Sequence, residues 1–133
     1  MATAAQAREQ RKRRGGSTLS KYMDKRGVID VSRMASGLFI SRDQLAKTAG
    51  LPTTTITKRE RSLAVKPQNR LREMVEILAR VEAWAGGEAQ ALSWYRSEPI
   101  PALDGRTAEA LVQSGEAAAV RSYLDHLALG GFA

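Results

Sequence analysis

The stripe Leu71, Met74, Val75, Leu78, Val81 and Trp84 recurs at three- and four-residue steps and constrains this chain more than any other feature. Apolar residues at that period share one face of an amphipathic α-helix. The helix is expected from about residue 70 until Gly86 and Gly87 stop it. A further helix, from about Glu88 to Ser97, carries Ala91, Leu92, Trp94 and Tyr95, and Pro99 and Pro101 forbid its continuation. No segment alternates as a half-buried strand would. The expected fold class is all-α.

Upstream of that stripe the chain changes character. Residues 1–27 read as a basic, flexible arm, with a run from Arg11 to Arg14 ended by two glycines and no apolar periodicity. Such an arm suits phosphates and serves equally as a solubilising tail. Ser17 to Met23 is expected to make a short helix, with Leu19, Tyr22 and Met23 on one side and Gly27 ending it. Asp30 or Ser32 caps a short turn through Met34 and Ala35, and Leu38, Phe39 and Ile40 form an apolar plug.

Residues 28–69 hold the pattern of a helix-turn-helix, read most clearly in "SRDQLAKTAGLPTTTITKR" over 41–59. Ser41 is the N-cap, Leu45, Ala46 and Ala49 face inward, and Gly50 supplies the positive φ of a tight turn. Alanine four residues before that glycine, with Ile56 six after it, is the steric signature of two crossing helices. The second of them would present Thr53, Thr54, Thr55, Thr57, Lys58 and Arg59 to nucleic acid, with Arg42 at the start of the first. Residues 61–69 are read as a linker crossing Pro67.

Charge follows the same division. Residues 1–72 hold 17 of the 21 Lys/Arg and 5 of the 14 acids, and the rest of the chain is net acidic. A polyanion-facing front and a back with another task follow from that asymmetry. There is no cysteine, hence no thiolate nucleophile or thiolate metal site. The single histidine, His126, sits among polar residues, and no phosphate-cradling glycine loop or metal-ligand spacing occurs. An enzyme is not expected, nor a cofactor or metal. No run reaches the roughly 18 apolar residues of a membrane span, and a cytoplasmic location is expected.

The last third carries a resemblance. Trp94, Pro99, "ALDGRTAEAL" at 102–111, Gly115, the Val120 and Leu124 pair and Gly130 follow in an order that resembles the MbcA/ParS/Xre antitoxin family. The match is strongest over about 88–133 and extends through "RLREMVEILARV" to about residue 35. Ala108 stands after Thr107 where family members usually have proline. The resemblance implies an Xre-like helix-turn-helix followed by a small helical dimerisation and toxin-binding domain, 70–133. It implies an antitoxin of a type II module that binds a RES-domain toxin directly and covers its NAD pocket. It also implies a homodimer, a higher-order complex with the toxin, and repression of its own operon through operator DNA. Trp94, Tyr95, Arg96, Arg106, Arg121, Tyr123, Gly130, Gly131 and Phe132 are the toxin-binding candidates. The alternative is a stand-alone helix-turn-helix regulator with no toxin partner.

Overall fold

The computed structural model describes residues 20–130. The expectations for Leu19, the basic run, Gly131 and Phe132 lie outside the described residues. Within them the chain runs α1 (Val31–Gly37), α2 (Arg42–Ala49), α3 (Thr53–Thr57), α4 (Arg59–Ser62), α5 (Val65–Ala85) and α6 (Glu88–Ser97). A 3-10 turn (Pro101–Leu103), α7 (Ala108–Gln113) and α8 (Ala117–Ala128) complete it. No strand forms among the described residues, and extended pairing is limited to two isolated bridges, Met23 with Ile29 and Ile100 with Arg106. The all-α expectation holds.

Local chemistry sets the first helices. Asp30 caps α1 by accepting from the Arg33 N–H at 3.0 Å. Ser41 and Gln44 form a reciprocal capping box, each side chain accepting from the other's backbone N–H at 3.0 and 2.9 Å. Both α1 and α2 end in the same chain reversal, closed by a bond five residues back: Ile40 to Ala35 and Leu51 to Ala46. The left-handed residue is Gly50 in the second and Phe39 in the first, at φ 71° and 58°. That reversal splits the expected plug. Leu38 is buried and Ile40 packs on the core, whereas Phe39 is turned outward and 92% exposed.

Two more expectations are corrected here. The threonine helix is not continuous: Lys58 is extended, at φ −94° and ψ 111°, so α3 has five residues and α4 four. Three consecutive threonines are weak helix formers, and no side chain caps either piece. The 61–69 linker is largely helical, because α5 begins at Val65 and accommodates Pro67 in its first turn, where no intrahelical N–H bond is lost. Gln68, nearly buried, bonds the N–H and carbonyl of Ile29 at 2.8 and 3.1 Å and the Ser62 carbonyl at 2.9 Å.

The core lies along α5. Leu71, Met74, Val75, Leu78 and Val81 are buried as the stripe predicts, and Ile77 joins them. One cluster of buried apolar side chains extends from Tyr22 to Leu124, and the expected boundary at 69/70 falls inside α5. The C-terminal end of α2 is held from across that boundary. Its Lys47 carbonyl accepts from Gln113 Nε2 at 2.7 Å, Thr48 from the Tyr95 hydroxyl at 3.0 Å, and Ala49 from Arg70 Nη1 at 3.1 Å. Arg70 also donates to the Val112 carbonyl at 2.7 Å.

Gly50 sits at this junction, where an added Cβ would lie 2.6 Å from Gln113 Cα. Gly50→Ala is expected to lose about 2–4 kcal/mol of stability, from backbone strain and overlap together. Tyr95→Phe should lose about 1 kcal/mol. Urea denaturation checks both, and an unchanged midpoint for Gly50→Ala would refute this packing.

Candidate functional site

The segment after α6 makes a braced corner. Ile100, 1% exposed, anchors it in the core. The Ile100 N–H donates to the Arg106 carbonyl at 3.0 Å, and Gly105 N–H returns to the Ile100 carbonyl at 3.0 Å. Between them Pro101–Leu103 forms the 3-10 turn, and Asp104 and Gly105 take left-handed conformations, φ 61° and 72°. Thr107 then caps α7, its hydroxyl accepting from Ala110 N–H at 3.1 Å. Pro99, Pro101, Ala102, Asp104 and Gly105 remain exposed at the tip.

Arg106 closes the corner from below. Its guanidinium pairs with Glu116 at 2.7 Å, and Ser114 Oγ donates to the same carboxylate at 2.6 Å. The Arg106 bond, then that from Ser114, holds the Glu116 carboxyl below its ordinary 4.5. The other candidate arginines are also engaged. Arg96 lies 3.6 Å from Glu109, which accepts a bond from Thr48 Oγ1, and Arg121 lies 3.7 Å from Glu73.

The aromatic candidates divide. Tyr95 is fully buried, its hydroxyl bonded to Thr48 and its pKa pushed up by burial, so it braces α2 and offers no surface to a partner. Trp94 is half-buried and meets Trp84 edge-on, with ring centres 5.7 Å apart. Tyr123 is half-buried, and burial followed by the Glu98 charge raises its hydroxyl pKa. Gly130 ends the described chain, exposed and left-handed.

Sequence reasoning missed one surface. Trp84, expected inward, is 55% exposed and lines an apolar groove of about 400 Å³ with Arg80, Leu124, Leu127 and Ala128. Leu129 stands beside that helix end, 89% exposed. A signal was present: Trp84 lies in the last turn of α5, immediately before the glycines.

On the opposite charge pole, Thr53, Thr54, Thr57, Lys58 and Arg59 are exposed and Thr55 is half-buried. Thr57 Oγ1 donates to the Thr53 carbonyl at 3.1 Å, so its proton is committed. Arg42 donates to Ser32 Oγ. Arg61 and Lys66, not singled out from the sequence, extend this exposed basic surface.

The Arg106–Glu116 pair sets a sign for pH dependence. A carboxyl held low in the folded state stabilises it above the unfolded value, and that contribution disappears as pH falls through the folded value. Wild-type thermal stability should therefore fall more steeply below pH 4.5 than that of Glu116→Gln. Parallel melts by circular dichroism decide it, and identical slopes would contradict the pairing.

Residues 80–130 match the family model described as the antitoxin Xre/MbcA/ParS C-terminal toxin-binding domain. Comparison with curated proteins and with solved structures gave no match. The matched stretch starts in the last turns of α5 and takes in α6, the corner, α7 and α8. No described helix is long and apolar enough to cross a membrane. From Arg80 to Gly130, the chain is similar to the C-terminal toxin-binding domain of the Xre/MbcA/ParS antitoxin family.

Proposed function

We propose that the protein is the antitoxin of a type II toxin–antitoxin module that neutralises a RES-domain, NAD-targeting toxin by covering its NAD pocket. The observation that carries this reading is that the toxin-binding match falls on a corner already built before any partner arrives. A surface held by its own hydrogen bonds and left-handed turns loses little further freedom on binding. The corner tip, Trp94, Arg96, Arg106, Arg121, Tyr123 and Gly130 supply the toxin contacts, while Tyr95 acts from within by holding α6 on α2. Each arginine exchanges part of its internal carboxylate contact for an acid of the toxin.

The apolar groove beside Trp84 serves association of two copies, and an exposed tryptophan beside a groove of its own making suits a self-complementary contact. The basic front, Arg42 with Thr53 to Arg59, binds operator DNA and represses the operon, in keeping with its exposed hydroxyls and with cations that have no carboxylate partner among the described residues.

Co-expression with the RES-domain protein encoded beside it should yield a stable complex and restore growth. A toxin that still kills, with no complex recovered, would reject the reading. Ala102→Glu, at the exposed tip, should weaken the complex about tenfold or more without moving the melting temperature. Calorimetry on the purified pair measures the first and a thermal melt the second.

A further inference from the structure

A cavity of about 310 Å³ opens where the turn before α1, the first residue of α2 and the α3–α4 junction meet. Ile56 and Leu63 are the apolar side chains that its α3–α4 side contributes to the lining. Three guanidinium-bearing residues line it from three separate segments: Arg26, Arg42 and Arg59. Two carboxylates share the wall, and both are already committed to backbone donors. Asp24 accepts from the N–H groups of Arg26 and Val28 at 2.8 and 3.2 Å, and from the Arg26 guanidinium at 3.2 Å. Asp30 caps α1.

The arginines are less fully matched. Among the described residues, Arg26 alone of the three has an ionic partner, Asp24, and Arg42 is held only by the neutral Ser32 hydroxyl. Arg59 has no hydrogen-bond or ion-pair partner for its guanidinium among the described residues. The cavity therefore has donors to spare, arranged around a concave space rather than along a flat face. Guanidinium forks suit the oxygens of phosphate better than a single carboxylate. Lys58, Arg61 and Lys66 lie exposed nearby in the chain, adding to the field that draws a polyanion.

We propose that this cavity is a phosphate-binding site, in which Arg26 and Ser32 act together with Arg42 and Arg59. It lies partly outside the helix-turn-helix, and its use for a DNA backbone phosphate rests on the operator-binding reading above. The same chemistry would accept the phosphates of a free nucleotide.

The test uses the full chain and two probes: a duplex spanning the region upstream of its gene, and inorganic pyrophosphate. Arg26→Gln, Arg42→Gln and Arg59→Gln are compared with Arg33→Gln, whose side chain lies outside the cavity and donates to the Met23 carbonyl. If a DNA phosphate occupies the site, each cavity variant binds the duplex roughly 3- to 10-fold more weakly, with a salt slope smaller by about 1. Pyrophosphate should move the Arg42 and Arg59 side-chain Nε–H resonances in the wild type and not in the paired variants. A wild type that binds no duplex yet shows those shifts removes the operator reading and leaves the site to a free phosphate. Duplex affinity equal to that of Arg33→Gln in all three variants, with no pyrophosphate shifts, overturns the proposal. So does the absence of both responses in the wild type.

Discussion

Beyond the Gly50 N–H, which reaches the Lys47 carbonyl at 3.1 Å, the last carbonyls of α2 take their partners from distant segments, and the whole arrangement depends on how they are satisfied. Gln113, Tyr95 and Arg70 reach them from α7, α6 and α5. Three side chains separated by up to 43 residues in sequence thus converge on one helix end, which also carries the tight turn at Gly50. A buried carbonyl without a donor is costly, so the α2–α3 turn and the segment matched by the family model are bound together by polar accounting as much as by apolar contact. The turn's geometry and the packing of α7 are one feature, since the backbone of Gln113 occupies the space a side chain at position 50 would need.

That junction explains the shape of the exposed corner. With α6 fixed through Tyr95 and α7 through Gln113, the connection between them has both ends anchored. Ile100 adds a third anchor in the core, and the Arg106–Glu116 pair fastens the exit to the start of α8. What projects is a short turn, closed by hydrogen bonds between Ile100 and Arg106 and between Gly105 and Ile100, with prolines and left-handed residues at its tip. The arginines around it already have carboxylate partners, mostly at the half-exposed surface where such pairs contribute little to stability. They are therefore available for exchange with a partner's acids at small cost to the fold.

The charge asymmetry acquires a spatial meaning. Four of the nine acids of the C-terminal half, Glu73, Glu109, Glu116 and Asp125, pair with arginines of that half, and Glu88 reaches Lys21 instead. The cations of Lys58 to Lys66 find no such partners among the described residues and face solvent. The fold then presents a shaped end that is net acidic and an open positive one. The break at Lys58 shortens the helix that carries the threonines, and it brings Arg59 to the rim of the cavity below.

Periodicity and punctuation determined a good deal by themselves. The α5 stripe, the Ser41 cap, the Gly50 reversal, the proline stop after α6 and the Thr107 cap are local decisions, each written in neighbouring residues. The resemblance of the last third rests on the same kind of spaced anchors. Only tertiary structure decided the rest. Tyr95 looked like an interface residue because an aromatic on a helix gives no sign of which side is covered, and the carbonyl it satisfies lies 47 residues away. Phe39 looked buried because hydropathy ignores φ, and a left-handed backbone at that one position turned it outward. Trp84 continued an inward stripe, yet whether the last turn of a helix is covered depends on what packs there. The supposed linker became helix because Gln68 found donors and acceptors at Ile29. Local propensity sets where elements begin and end, while burial and hydrogen-bond closure between distant segments set which side chains a partner can reach.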